Sequence, residues 1–141
     1  MRILIASDKF KGTMRGSEVG EVIGNVFGDH ECRIFPVADG GEGTAEIIGN
    51  ALGGEWVKSQ VKGPLGDMVD AGFFLVCDDC GGGGTAVIEM NSASGLGLVQ
   101  GKKLDPWVAS THGTGELIIE ARNFGVDRII LGIGGSATND G

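Results

Sequence analysis

Long hydrophobic runs are missing from these 141 residues. No stretch approaches the roughly 18 consecutive apolar residues of a membrane span, and Met1-Arg2 passes straight into Ile-Leu-Ile-Ala without the layout of a signal peptide. The expectation is a cytoplasmic protein with no membrane partner. Basic residues are scarce as well: 11 Lys and Arg stand against 19 Asp and Glu, a formal charge of -8. This balance excludes a nucleic-acid partner, because a phosphate backbone needs a concentrated Lys/Arg face. Cysteine numbers only three, at positions 32, 77 and 80. An odd count of this size excludes the disulfide framework of a small secreted domain and leaves reduced thiols.

Glycine is the excess, with 28 residues where about 7% is usual. The glycines cluster beside Ser, Thr, Asp and Glu and follow no repeat. Periodic apolar segments lie between the clusters, which excludes collagen and low-complexity chains, and 41% hydrophobic content supports a buried core.

Arg2 to Ala6 reads as a short buried strand ending in a polar loop, Ser7 to Thr13. Val19, Val22, Ile23, Val26 and Phe27 recur at the spacing of one helical face, with Ser17 as N-cap and Gly28 as the stop. The order then repeats: Cys32 to Val37 as a strand, Ala38 to Gly43 as a glycine loop and Thr44 to Leu52 as a helix. Two such units in succession predict a parallel sheet with right-handed crossovers. From Glu55 the period changes to two, and strands at Met68 to Val76 and Thr85 to Met90 flank a turn, which predicts an antiparallel patch. Asn91 to Thr111 reads as loop, Thr114 to Gly125 as a helix with Leu117, Ile118, Ala121 and Phe124 on one stripe, and Arg128 to Ile133 as a further buried strand. The last segment, Gly134 to Gly141, is a glycine loop with no helix after it to complete an anion site, from which truncation is expected.

Three loops follow strands and combine glycine with oxygen or ammonium side chains: Asp8-Lys-Phe-Lys-Gly-Thr13, Asp39-Gly-Gly-Glu-Gly-Thr44 and Gly132 to Gly141. Ligands collect outside the carboxyl ends of strands in open α/β sheets. The residue types suit phosphoryl transfer: glycine amides for phosphate oxygens, Lys as a cation, and carboxylates to hold Mg²⁺ or take a hydroxyl proton. Lys9, Lys11, Asp8, Asp39, Glu42 and Asp140 are of these kinds. Gly101-Lys-Lys103 fails the Walker pattern, whereas Gly132-x-Gly134-x-x-Ala137 fits the Rossmann spelling and keeps open an NAD-dependent oxidoreductase. Cys77-Asp-Asp-Cys80 lacks a second pair and reads as a hairpin turn. His112 is open between a capping neighbour, a ligand contact and a bystander; His30 reads as surface, and Trp56 and Trp107 as packing residues. Glu89 ends the apolar strand Ala86-Val-Ile88, either as an ordinary strand-end charge or as a carboxylate aimed into a cleft.

Six blocks carry a more specific signal. Asp8-x-Phe-Lys-Gly-Thr13, Pro36 to Thr44, Gly63-Pro-Leu-Gly66, Val87-Ile-Glu-Met90 with Ala93-Ser-Gly-Leu96, Thr111-x-Gly-Thr-Gly-Glu-Leu-Ile118 and Ile133 to Gly141 resemble, in order and spacing, the type I bacterial glycerate kinases. The departures are Ser7 where Pro is common, His112 where an aromatic ring is usual, and a longer Cys77-to-Gly84 turn.

The resemblance implies an α/β fold, with a flavodoxin-like parallel sheet and a second α/β domain inserted in it. Residues 1–62 would begin the first domain and residues 63–141 the second. It implies ATP- and Mg²⁺-dependent phosphorylation of glycerate, with this chain as an N-terminal portion that is inactive alone or associates with itself or a partner through open sheet edges. On this reading Asp39, Lys11 and Asp8 are catalytic. Lys9, Gly40, Gly41, Glu42, Thr44, Glu89, Ser94, Thr111, Gly134, Gly135, Ser136, Thr138 and Asp140 bind substrate or phosphate, and Asp39 and Asp140 hold the metal. A non-catalytic nucleotide-binding fragment is the other alternative.

Overall fold

The computed structural model describes residues 1–77 and 83–140, and the chain divides into two units, Met1–Asp39 and Gly40–Gly141. Cys80 and the middle of the turn expected from Cys77 to Gly84 lie outside the described residues, as does Gly141. The fold is α/β, and each unit has its own sheet.

The first unit is β1 (Arg2–Ile5), α1 (Gly16–Val26) and β2 (Glu31–Ile34). The strands run parallel, Arg2 beside Glu31 through Ile5 beside Ile34. Two further bonds, Phe35 N–H to Ile5 C=O (2.8 Å) and Val37 N–H to Ser7 C=O (3.0 Å), carry the pairing past the strand ends. That extension accounts for the expectation of a strand reaching Val37. The helix begins two residues earlier than Ser17 would set it: Arg15 is the N-cap, and its N–H donates to Glu18 Oε2 (2.7 Å).

The buried face of α1 differs from the expected apolar stripe. Gly16, Val19 and Gly20 are buried, whereas Val22 is 54% and Val26 77% exposed. A side chain at Gly20 would collide with Ile34, so it is the missing Cβ that brings the helix down onto β2. Leu4 and Phe35 also remain largely exposed.

The second unit opens with α2 (Thr44–Ala51), continues through β3 (Glu55–Lys62), β4 (Met68–Val76) and β5 (Thr85–Glu89), and then α3 (Met90–Ser94), a 3₁₀ turn over Leu96–Val99, α4 (His112–Asn123) and β6 (Arg128–Gly132). The sheet order is β3-β4-β5-β6. β3, β4 and β5 pair antiparallel, as the period-two pattern predicts, and β6 lies parallel to β5, Thr85 beside Arg128 through Glu89 beside Gly132. β6 is thus an edge strand of this mixed sheet, with Ile129 37% and Ile133 69% exposed, where a buried strand is expected. The β3–β4 ladder from Glu55–Leu75 to Lys62–Met68 joins residues on both sides of position 62.

β5 is buried at all five residues, as a central strand requires. One cluster beside it gathers Phe73, Ile88, Ala93, Leu117 and Ala121, and a second gathers Ala45, Phe74 and Val87 under α2. Full burial of Phe73, Ile88 and Leu117 stabilises the unit by about 1.5–3 kcal/mol per side chain. Two expectations fail. Asn91–Ser94 is helical where its Asn and Ser content reads as loop, because Ala93 and Ser94 turn inward to complete the core. Trp107 is 95% exposed, where a packing residue is expected.

Candidate functional site

In the first unit the loop after β1 folds back on itself. Phe10 N–H donates to Met14 C=O (2.9 Å), and Thr13 N–H donates to Phe10 C=O (2.9 Å). The turn sets Lys9 toward the end of β2. Its Nζ donates to Asp39 Oδ1 (2.8 Å) and stands 3.7 Å from Asp8 Oδ1, with the lysine side chain only 13% exposed. Asp8 Oδ1 also accepts the Lys9 N–H (2.7 Å). The structure therefore brings together Asp8, Lys9 and Asp39, and Lys9 is a partner of Asp39. Lys11 is exposed and bonds to none of the described residues.

In the second unit two of the expected loops meet at the carboxyl ends of β5 and β6. Gly134 N–H donates to Gly40 C=O (2.7 Å). A Cβ on Gly132 would lie 2.7 Å from Gly40 O, and one on Gly134 2.8 Å from Gly41 Cα. The approach is closer than any side chain permits, and this is the physical reason for glycine here. Thr44 Oγ1 accepts the Gly40 N–H (3.0 Å), and Glu89 Oε1 accepts the Ala45 N–H (2.6 Å) in a buried setting. Glu89 thereby serves one of the unpaired amides at the start of α2, a place that the sequence leaves open between strand-end charge and cleft carboxylate. Glu42 is exposed.

The loop after β6 is fixed on its other side by α3 and its neighbours. Leu96 N–H donates to Gly135 C=O (2.9 Å) and Ala137 N–H to Ser94 C=O (2.8 Å). Ser94 Oγ and Thr114 Oγ1 form a buried pair at 2.8 Å, which ties α3 to α4. Gly135 takes a positive φ of 74°, and the Ser136 and Thr138 hydroxyls pair at 2.8 Å. Farther along, both oxygens of Asp140 accept the Thr111 N–H (3.1 and 2.8 Å) at the N-cap of α4. That bond, with help from the Ser110 and Thr111 side chains, holds the exposed Asp140 carboxyl below its ordinary pKa.

Gly40, Gly41, Thr44 and Gly134 are thus linked by hydrogen bonds, while Glu89 with Ala45, Gly135 with Leu96, Ser94 with Ala137 and Thr114, Ser136 with Thr138, and Thr111 with Asp140 form separate bonded sets in the same unit. Among the loop amides, those of Gly134, Ala137 and Thr138 are already engaged within the protein. The amides of Gly135 and Ser136 bond to none of the described residues. These two amides, next to the two hydroxyls, are donors of the kind that anion-binding loops use. The Rossmann spelling is present, but Gly132 and Gly134 here serve the approach to Gly40 and Gly41.

Sequence reasoning passed over Asn91 and Thr114. A Cβ on Gly135 would lie 2.8 Å from Asn91 Oδ1, so this side chain backs the loop; a polar residue in an assumed loop gave no signal. Thr114 stands inside a recognised block, and its pairing with Ser94 becomes visible only in three dimensions. His112 Nε2 lies 3.3 Å from Glu116 Oε1, one helical turn away.

The six blocks, the α/β fold and these bonded sets can be set against known proteins. The family model described as the glycerate kinase family matches residues 3–141. The chain belongs to the glycerate kinase family. It is 48% identical to a glycerate kinase of Bacillus subtilis (strain 168) and 47% identical to a glycerate 2-kinase of Escherichia coli (strain K12), in each case over 100% of this chain and 37% of the relative. A crystal structure assigned as glycerate kinase 2 from Salmonella typhimurium LT2 superposes with a TM-score of 0.75 at 43% identity, over 99% of this chain and 37% of that one. The chain therefore spans little more than a third of the glycerate kinases it matches.

Proposed function

We propose that this chain contributes to an ATP-dependent glycerate kinase, and that the Gly134–Thr138 loop receives the phosphate chain of the nucleotide. The reading is supported by the unengaged amides of Gly135 and Ser136 beside a glycine–glycine approach, in a chain of the glycerate kinase family. The name of the E. coli relative favours 2-phosphoglycerate as product. Activity would need the full length of the relatives, so the 141-residue chain alone is expected to turn over little or no substrate.

Phosphoryl transfer asks a protein mainly for positioning and charge stabilisation. The amides of Gly135 and Ser136 would donate to phosphate oxygens, and of the paired Ser136 and Thr138 hydroxyls the one that accepts in the pair would add a third, adjustable donor. Gly40, Gly41 and Thr44 keep that loop in place, and Glu89 fixes the start of α2. Ser94, through Thr114, and Thr111, through Asp140, set its far side. Asp39 is the proposed acceptor of the proton leaving the attacking hydroxyl. Lys9 holds the Asp39 carboxylate in place, while Asp8 braces Lys9. Lys11, exposed, would neutralise charge on an incoming carboxylate or phosphate, and Glu42 would support the loop.

Mg²⁺ fits this donor set in the way that it usually accompanies nucleotides, through one or two carboxylates together with phosphate oxygens. No group of three or more His, Cys, Asp or Glu suited to a metal occurs among the described residues, so they supply no cage of their own. Asp140, exposed after the loop, is a carboxylate proposed to hold the ion, and Asp39 is the other candidate. When bound, it would offset charge between phosphate oxygens. We place the enzyme in the cytoplasm; no helix among the described residues is long and apolar enough to cross a membrane.

The test is a coupled assay of the intact protein with ATP, Mg²⁺ and D-glycerate. Asp39→Asn is expected to lower kcat by about 10²–10⁴-fold with an unchanged melting temperature. Near-parental turnover would remove Asp39 from the chemistry, and an inactive parent would remove the function.

A further inference from the structure

A cavity of about 620 Å³ opens in the second unit, where the outer strand β3 meets α3 and the 3₁₀ turn. Trp56, Lys58 and Gln60 of β3, Asp70 of β4, Asn91 and Leu98 supply its walls. Lys58 stands opposite Gly72, and Asn91 lies two residues past the end of β5. Trp56 is level with Val87 in the middle of β5 through Phe74, and the Asn91 end of the cavity lies past the carboxyl end of that strand, the side on which open α/β sheets gather ligands. Its size is that of a small-molecule site.

The walls have a definite chemistry. The indole of Trp56 lies on the backbone of Gly72, where a Cβ would meet Trp56 Cζ2 at 2.6 Å. It also meets the Phe74 ring edge-on, with centroids 5.2 Å apart. Held on these sides, Trp56 still leaves 43% of its surface exposed, which makes it a fixed stacking platform for a planar ring. Lys58 has no carboxylate partner among the described residues. Gln60 Nε2 donates to Asp70 Oδ1 (3.0 Å), which orients its amide. Asn91 lines the cavity and also backs Gly135, so the cavity and the proposed phosphate loop share a wall.

We infer that this cavity receives the base and ribose of the nucleotide, with the ring stacked on Trp56 and Lys58 near the first phosphate. The inference rests on the reading of Gly134–Thr138 as a phosphate loop. A ligand with a planar heterocycle and a phosphate chain uses both features at once. Glycerate, three carbons long and without a planar face, has no use for the indole.

Calorimetry on the intact protein tests this with two probes, ADP and inorganic tripolyphosphate. Trp56→Leu, which keeps apolar bulk but removes the ring system, is expected to weaken ADP about tenfold, in line with stacking of about 1–3 kcal/mol. Tripolyphosphate, lacking a base, is expected to bind within about twofold of the parent. Exposed Lys58→Gln is expected to weaken ADP about threefold. ADP unchanged in both variants, or ADP and tripolyphosphate weakened together by Trp56→Leu, would overturn the inference. Should Trp56→Leu not fold, Lys58→Gln and adenosine decide: the parent must bind adenosine, and the variant must lose ADP affinity. A protein that phosphorylates glycerate normally but fails the ADP test loses only this pocket. One that passes the ADP test without phosphorylating glycerate loses only the proposed reaction.

Discussion

Asp140 is a single carboxylate on which both loop position and metal binding are proposed to depend, and its titration can be read directly. Its folded pKa is lowered, chiefly by the Thr111 N–H. A lowered folded pKa means that the stabilisation is present above the ordinary carboxylate value, near 4, and is lost as pH falls through the folded value. Asp140→Asn is therefore expected to melt below the parent at pH 7, with the gap closing between about pH 5 and about pH 3. A gap that stays constant over that range would show that the carboxylate charge contributes nothing. At this scale the sequence was legible as residue types, and blind to direction. It marked Lys9 and Lys11 as a pair, but a spacing of two in an irregular loop does not say which ammonium turns toward Asp39. That choice came from the Phe10–Met14 turn. Glu89 likewise stood out as a charge at the end of an apolar strand, while its partner, the Ala45 amide, is 44 residues away in sequence.

Among the elements, α1 and α3 show how local composition misleads. The spacing of Val19, Val22, Ile23, Val26 and Phe27 is helical, and the helix forms, but the face that packs is the glycine face because a close approach outweighs apolar area there. In α3 the small polar residues signal a loop until the core claims Ala93 and Ser94. The β3–β4–β5 meander and α4, by contrast, followed their periodicities closely, since period-two alternation and the Leu117–Ala121 stripe are each satisfied within one sheet. The meeting of the Gly40 and Gly134 loops is a contact between elements that a substitution can test. Gly134→Ala would press a methyl group to 2.8 Å from Gly41. It is expected to destabilise the unit by about 1–3 kcal/mol, measured as a shift in urea midpoint, and to weaken tripolyphosphate binding. A midpoint equal to the parent's would mean that the loops part freely.

The scale of the molecule was legible mainly through the six blocks, because no periodicity announces that a chain divides after Asp39 or that β6 joins β5. Membership of the family and the α/β class came through; the parallel pairing of β6 with β5 did not. Exposed apolar residues also belong to this scale. Leu4 at 69%, Val26 at 77% and Phe35 at 65% face solvent in the first unit, and β3 and β6 leave sheet edges in the second. The isolated 141-residue chain is accordingly expected to elute from size exclusion above its 14.5 kDa, with an apparent mass that rises with concentration. Elution as a monomer at every concentration would refute this. The glycine approach at Gly40, Gly41, Gly132 and Gly134 carries one more consequence. A junction made of peptide groups alone offers selection nothing to retouch, so a library evolved toward a new acceptor should leave these four positions silent and record its changes at exposed ones such as Glu42.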